Sequence, residues 1–441
     1  MSTATTPAQL VRELRDICGT EHVIEDPARL DASRILGATP SVAVEPASAE
    51  EIAAILRLAN EQGLNIVPAG GFTQQQTGGV PSQIDVLLLT SKLKEVVHYD
   101  AGDLTVGVGA GCTVAQLTSM VAKDGLLFAA DVALPERATV GGMLATGMTG
   151  PLRHGYGGLR DYCIGVRFVT GDGRKGKGGG RVVKNVAGFD LMKLLIGSQG
   201  TLAIITGASF KLFPAPRQTS TFLAEFASAA EAIQYRNAVL RSPLSPICLE
   251  MVSPHAGELM SGGVRSGKGW SIYLRATGSD AVLARYRSEL GAAISREVDG
   301  QDESEFWRAI QDFSSTLPER SPASVLISLS LPLADVLPAL NELESVAASD
   351  HLAYAVIGAV GVGRLLVGLW TADQHANLSN AVFAFRERLP RDASANILHC
   401  QQEIRRQTSG WAKTPTHFES MKAVKPALDA KDILNRGRFL F

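Results

Sequence analysis

The sequence predicts an α+β fold in two domains, on three observations. Residues 41–69 alternate strand, helix and strand patterns in the manner of a βαβ unit. Glycine gathers in two loops, at 70–79 and 141–150. Past Pro214–Pro216 the glycine density falls, while strands and helices keep alternating to about residue 420, as in a separate domain over an antiparallel sheet. The expected division is 1–216, 217–420 and a closing segment 421–441 that returns to the first domain. A chain of 441 residues accommodates this, at roughly 100–200 residues per domain.

Residues 7–33 read as short helices. Ser41–Pro46 is a strand halted by proline. Ser48 and Glu51 make an S-x-x-E capping box ahead of Ile52, Ile55, Leu56 and Ala59, which share one helical face as far as Gly63. Leu64–Val67 is a second strand, broken at Pro68. Strands follow at Ile84–Leu89 and Leu104–Val108, and a helix opens at Thr113 with Val114, Leu117 and Val121 on one face. Strands Ile164–Thr170 and Gly180–Val183 flank Asp172-Gly173, which places the basic run Arg174–Lys177 at a solvated hairpin tip. A helix at Phe189–Ile196 and a strand at Leu202–Thr206 complete the first domain. In the second, Thr221–Phe226, Trp270–Arg275 and Ser324–Leu331 read as strands, and Ala229–Leu240, Ala281–Leu290 and Ala334–Ala348 as helices.

Composition excludes several classes of function. A formal net charge of -2 gives no general attraction for nucleic acid or an anionic membrane. The five cysteines, Cys18, Cys112, Cys163, Cys248 and Cys400, are scattered and odd in number, which argues against a disulfide framework, structural zinc or an iron–sulfur cluster. The first ten residues carry no secretory signal pattern, and no run of about 18 apolar residues occurs. A cytoplasmic protein with no membrane span is expected.

Glycine is enriched, at 44 residues, and its clustering marks backbone that something must approach closely. A bound phosphate needs such backbone, with N–H groups free to point at it. Gly107-Val108-Gly109-Ala110-Gly111-Cys112 misses the Rossmann spacing, and no G-x-x-x-x-G-K-S/T is present. Two glycine-rich loops on either side of a strand-rich stretch could clamp an extended dinucleotide. The residues alone leave this level with a plain long turn at Gly70–Gly79.

Whole segments add a resemblance. Val67-Pro68-Ala69-Gly70-Gly71-Phe72-Thr73 is similar to the pyrophosphate loop V-P-R-G-G-G-T of the vanillyl-alcohol-oxidase (PCMH-type) family of FAD-binding proteins. Ala138–Gly147, followed by Gly150, Tyr156-Gly157 and Arg160-Asp161, resembles its second flavin loop. Gly197-Ser198-Gln199-Gly200-Thr201-Leu202 through Thr206 resembles its adenine-side segment. Lys422 and Leu428–Phe439 resemble its closing K…F-D-P-x-x-x-L-N-P-G-R-F. Within the family, Tyr156–Asp161 and Gly179–Asp190 most resemble the FAD-binding subunits of glycolate oxidases, with Trp411 ahead of the closing motif.

The resemblance implies a two-subdomain FAD-binding domain, an α+β cap domain and non-covalent FAD. The backbone of Gly70, Gly71, Thr73 and Gln74 would hold pyrophosphate. Thr139, Gly141, Gly142 and Thr146 would line the ribityl chain and ring, and Ile204 and Thr206 would meet adenine. Pro68, Ala69, Phe72, Pro135, Gly150, Tyr156, Gly200, Asn435 and Arg438 complete the expected cofactor contacts. Tyr156 reads equally as a proton donor or a packed ring. The implied activity is FAD-dependent oxidation of a small-molecule CH–OH donor, a 2-hydroxy acid. The implied partners are a second flavin subunit and an iron–sulfur subunit, which would place the chain in the cytoplasm or at the inner face of the membrane.

The departures bear on chemistry. Ala69 and Phe72 stand where the pyrophosphate loop has arginine and glycine, and Arg436 where the closing motif has proline. No histidine lies in Gly70–Gly79 to bond to flavin, and His399 and His417 read as ordinary residues. Relatives that oxidise 2-hydroxy acids carry G-H-x-G-D-G-N-x-H, whose histidines bind metal and substrate. The comparable stretch here is Gly358-Ala359-Val360-Gly361-Val362-Gly363-Arg364-Leu365-Leu366, so no metal site is expected. No catalytic base stands out. Arg364, Arg405 and Arg406 are candidates for an anionic substrate. Three readings stay open: a glycolate-oxidase-type subunit passing electrons, a standalone enzyme, and a scaffold with a degenerate flavin site.

Overall fold

The structure, a computed structural model, describes residues 6–440 apart from 182–188, 261–268, 372–376, 412–413 and 416. The first sheet has four strands in the order β1 (Val23–Ile24), β2 (Val42–Val44), β4 (Val86–Leu89), β3 (Ile66–Ala69). β2 and β3 both run parallel to β4, in register at Val42↔Val86 and Ile66↔Val86. The crossover helix Ala49–Gln62 starts as its S-x-x-E box requires: Ser48 Oγ accepts from Glu51 N and Glu51 Oε2 from Ala47 N. It ends at Gly63 in the left-handed conformation. Pro68, expected to stop the strand, lies within β3. It is tolerated there because β3 is the last strand in the order.

The second sheet is antiparallel, in the order β5 (Val96–Asp100), β6 (Thr105–Gly109), β10 (Ala203–Lys211), β8 (Cys163–Thr170), β9 (Lys175–Gly179). A short ribbon pairs β7 (Leu126–Leu127) with β11 (Phe213–Pro214). One correction falls here. The hairpin partner of β8 is 175–179, not 180–183, so Lys175 and Lys177 lie along an edge strand rather than at the tip. Val182 and Val183 of the expected strand, and Lys184–Gly188 of the resembled motif, lie outside the described residues. Helix Ala49–Gln62 buries Ile52, Ile55 and Leu56 against β2 and β4, in a core that also holds Val106, Val140 and Leu144. Ile433 and Leu434 are fully buried in it. The chain end is tied down by Ile66 N→Ile433 O and Asn435 N→Ile66 O, both 2.8 Å. Buried Lys425 braces it through Asp429, 2.7 Å away.

Residues beyond Pro216 form an eight-stranded antiparallel sheet. Its order is β15 (Arg296–Val298), β12 (Thr219–Phe226), β14 (Trp270–Thr277), β13 (Cys248–Val252), β17 (Ala353–Ala359), β18 (Arg364–Trp370), β16 (Val325–Ser330), β19 (Ser394–His399). Side chains alternate between its faces. Leu249 and Met251 of β13 enter the core under helices Ala229–Arg241 and Val336–Ser349, while Cys248 and Val252 join the opposite face. That opposite face is covered by helix Gly300–Arg320, whose Phe306, Ile310, Phe313 and Leu317 share one side, and by Met148, Leu152 and Tyr156 of the first unit. The two units therefore meet on this sheet face. No described helix is long and apolar enough to cross a membrane.

Candidate functional site

The glycine-rich loop after β3 and the segment 137–142 are pressed together. A Cβ on Gly70 would fall 2.1 Å from Thr139 Oγ1, and one on Gly71 1.7 Å from the Arg137 carbonyl oxygen. These glycines serve loop-on-loop contact. Thr139 caps helix Val140–Thr146. Gly141 N is spent on Ala110 O at 2.8 Å, so Gly141 contributes closeness, not a free donor.

Two arginines decide how loop 70–79 presents itself. Arg438 donates to Gln75 O and Gly79 O, both at 3.0 Å. Arg405 donates to Gln76 O at 2.8 Å and Gly78 O at 3.1 Å. They are 3% and 5% exposed, and neither has an acidic partner among the described residues. Burial pushes the Arg438 guanidinium down to about 10, with Arg405 adding repulsion, and burial lowers Arg405 as well. The backbone N–H groups of residues 70–76 donate to none of the described residues. Those groups are therefore free to bind an anion.

They open on a cleft of about 730 Å³ lined by Pro68, Ala69, Gly70, Gly71, Phe72, Thr73, Gln74, Thr139, Gly141, Gly142, Thr146, Gly200, Ile204, Asn435 and Arg438. Four other expected contacts fall elsewhere. Pro135 offers its carbonyl to Ala115 N, and Thr206 its carbonyl to Ala110 N. Gly150 lines a second cavity. Tyr156 packs edge-on to Phe213, ring centroids 4.9 Å apart, as a packed ring does. Phe72 holds φ +58°, the conformation a glycine adopts without strain, at a cost of order 1 kcal/mol; its ring packs on a cluster that includes Ile35 and Leu87. Arg436 uses an N–H that proline lacks, donating to Asn65 Oδ1 at 3.2 Å. The residues fit a dinucleotide: free donors, an acid-free arginine, and Asn435 Oδ1 buried in the wall without a donor.

The second cavity, about 870 Å³, shares Thr73, Gln74 and Thr146 with the cleft and lies between the two units. Met143, Met148 and Gly150 come from the first unit, Ile310, Gln311 and Ser314 from the long helix, and Glu250, Ser328, Ile357 and Arg364 from the sheet. Arg153 and Arg364 both line it and also open on a wider cleft that reaches Arg391 and His417. Neither makes an ion pair with a described residue. Burial pushes Arg364 down to about 10, with Arg153 adding repulsion. Asp131 and Glu250 face the same space. Burial lifts Asp131 to about 7 against two backbone N–H donors, and burial, then Asp131, lifts Glu250 far above the usual carboxylate range.

Of the three arginines singled out in the sequence, only Arg364 reaches this cavity. Arg405 holds the loop, and Arg406 sits exposed in the last turn of helix Gln402–Gln407. His399 is half-buried and lines neither space. Sequence reading missed Glu250, Asp131 and Arg153. The one signal was an acid inside the apolar run Cys248–Val252. Among the described residues no three His, Cys, Asp or Glu side chains converge as metal ligands.

Residues 40–175 match the family described as FAD binding domain. The D-lactate dehydrogenase of Archaeoglobus fulgidus is 37% identical over 229 residues, 52% of this chain and 51% of that protein, so the match spans about half of that relative's length. The glycolate oxidase subunit GlcD of Bacillus subtilis is 25% identical over 92% of this chain and 90% of its own. The matched subunit is thus GlcD, whereas the motifs resemble those of the smaller subunit GlcE. The solved structure of p-cresol methylhydroxylase (PCMH) superposes with a TM-score of 0.74 over 98% of this chain and 96% of that one, at 17% identity, a likeness of fold. Residues 40–175 are thus an FAD binding domain, and the whole chain shares its fold with p-cresol methylhydroxylase, in keeping with the motifs that resemble the vanillyl-alcohol-oxidase (PCMH-type) family.

Proposed function

We propose that the chain oxidises a small 2-hydroxy carboxylate in the 870 Å³ cavity, and that the adjoining 730 Å³ cleft, which shares Thr73, Gln74 and Thr146 with it, would hold FAD. Gly70, Gly71, Thr73 and Gln74 would hold the pyrophosphate on their N–H groups. Thr139, Gly142 and Thr146 line the path toward the cavity, and Gly200 and Ile204 form the far wall with Asn435. The cofactor supplies a two-electron acceptor. The chain's own contribution is to hold the acid. The carrying observation is the pair Arg153 and Arg364, cations without acidic partners in the cavity that adjoins the cofactor cleft. A carboxylate on Arg364 would form the charge-assisted bonds the structure leaves unmade. The apolar wall of Met143, Met148, Ile310 and Ile357 excludes water from the carbon beside it.

A second reading has its own support. The match to a glycolate oxidase subunit over nine-tenths of the chain favours work within a complex. In that case an iron–sulfur partner must bring its own ligands, because Cys18, Cys112, Cys163, Cys248 and Cys400 are each buried and apart.

The visible spectrum of the purified chain, followed without oxygen as D-lactate or glycolate is added, tests both. Flavin bands that bleach support the enzyme. The Arg364→Gln variant should then need ~10–100-fold more acid for half-maximal bleaching, as loss of a charge-assisted bond predicts. Flavin that stays oxidised until a partner subunit is added supports the complex. A colourless protein that cannot take up FAD removes both.

A further inference from the structure

The sheet face toward the cofactor carries an ionisable group with no structural task. Glu250 is 2% exposed, lines the 870 Å³ cavity, and makes no hydrogen bond or ion pair with any described residue; its Oε1 is fully enclosed. A buried carboxyl without a partner is costly, and such groups persist where a ligand supplies the partner. Alternation along β13 aims it there: Cys248 and Val252 share its face, while Leu249 and Met251 turn the other way. Asp131 in the same cavity is otherwise employed, accepting from Gly150 N at 3.1 Å and Leu152 N at 2.8 Å.

The chemistry needs such a group. Oxidation of an α-hydroxyl releases a proton, and the turn between β17 and β18 offers no histidine and no metal ligand to receive it. We propose that Glu250 is the catalytic base that takes the hydroxyl proton of a 2-hydroxy carboxylate held on Arg364, an assignment that rests on the substrate reading given above. The O–H bond breaks with its proton passing to the Glu250 carboxylate. The C2–H bond breaks with its hydrogen and electron pair leaving to the flavin, and C2=O forms. The proton then leaves to solvent through the wider cleft that Arg153 and Arg364 share. The charged and titratable groups around Glu250 are Asp131 and Arg153 from the first unit, Cys248 on its own strand, Tyr273 directly opposite on β14 and Arg364 on β18.

The test uses the FAD-loaded protein and two probes, oxalate as an unreactive anion and D-lactate as a substrate. An anion placed beside Glu250 favours its protonated form. Titration calorimetry with oxalate in buffers of different ionisation enthalpy, between pH 6 and 9, should therefore show proton uptake by the wild type. Glu250→Gln should bind oxalate within about threefold and take up no proton at pH 9, where Asp131, at about 7 in the same cavity, stays ionised. Its anaerobic bleaching by D-lactate should slow ~100-fold or more, the usual contribution of a positioned base, and lose its rise with pH. Glu250→Asp should keep proton uptake at an intermediate rate. Uptake and rate that survive Glu250→Gln overturn the assignment while the substrate reading stands. A wild type that neither binds oxalate nor bleaches overturns both. Should Glu250→Gln fail to hold FAD, the absence of proton uptake in the wild type or in Glu250→Asp overturns it on its own.

Discussion

Gly71→Ala probes the clamp between the two loops. An ideal Cβ there would sit 1.7 Å from the Arg137 carbonyl oxygen and 2.5 Å from its carbon. Both atoms are backbone, so no side-chain rotation relieves the clash. The contact is reinforced, because Arg137 Nη2 donates to Gly71 O at 3.3 Å. Ordinary contact requires the loops to part by about 1.5 Å. Overpacking of this kind costs ~1–3 kcal/mol. If FAD binds only the closed arrangement, that cost is lost from binding, and affinity falls about 5- to 150-fold. Gly102→Ala is the control, since its new Cβ meets only Asp100 Oδ1, at 3.4 Å and away from the cleft, and should change affinity less than threefold. FAD-stripped proteins titrated with FAD, followed by quenching of flavin fluorescence, give both constants. A Gly71→Ala protein with wild-type affinity would refute the clamp. So would a Gly102→Ala protein weakened as much as Gly71→Ala, since steric contact between the two loops would then not be the cause.

Two further outcomes follow from the buried charges. Arg438→Met leaves the Gln75 and Gly79 carbonyls without donors and should lower stability by ~3–5 kcal/mol and FAD affinity at least 100-fold; thermal unfolding with and without FAD measures both, and a variant that melts within a degree or two of wild type refutes the role given to Arg438. Asp131 carries a folded pKa of about 7 against an ordinary 3.8, so between those values the folded state keeps a proton that the unfolded chain has lost. Stability therefore falls as pH rises through that window, and the penalty is complete above about 7. Because Asp131 lines an open cavity, about 2 kcal/mol is expected rather than the ~4 of a fully enclosed group. Urea unfolding from pH 5 to 8 should show this slope, and Asp131→Asn should reduce it, leaving the part that comes from Glu250.

What could be read in the sequence was local. The S-x-x-E box and the spacing of Ile52, Ile55 and Leu56 locate their helix because capping and periodicity act within a few residues. The second strand of the β8 hairpin was misplaced for the opposite reason. Lys175-Gly176-Lys177-Gly178-Gly179 has no strand propensity, and its pairing with Gly165–Val169 imposes the strand from outside. The glycine loop was visible as a cluster, but Gly71's contact with residue 137 was not. Arg405 meets Gly78 across 327 positions, and no local pattern marks it as the residue that turns the loop's carbonyls away. Glu250 was hidden by its setting. An acid in an apolar run gains meaning only once β13 is placed at the seam of two units, with that face turned toward the cofactor cleft.

The anion site follows from the same separation. The chain has a net charge of -2, and its one basic run lies on edge strand β9, with Lys175 paired to Glu50, so bulk charge does not draw a phosphate to residues 70–76. Attraction must be made locally, and the loop alone cannot make it, since each peptide carries an acceptor for every donor. Arg405 and Arg438 resolve this by taking the carbonyls of Gln75, Gln76, Gly78 and Gly79. The N–H groups of residues 70–76 keep no acceptor among the described residues, and two guanidiniums without acidic partners adjoin the loop, Arg438 in the cleft wall itself. Burial of those charges is unfavourable on its own and is relieved when a diphosphate sits in front of them. Cofactor binding and folding of the chain end are thereby coupled, because Arg438 belongs to the same tail that Asn435 ties to Ile66 beside β3.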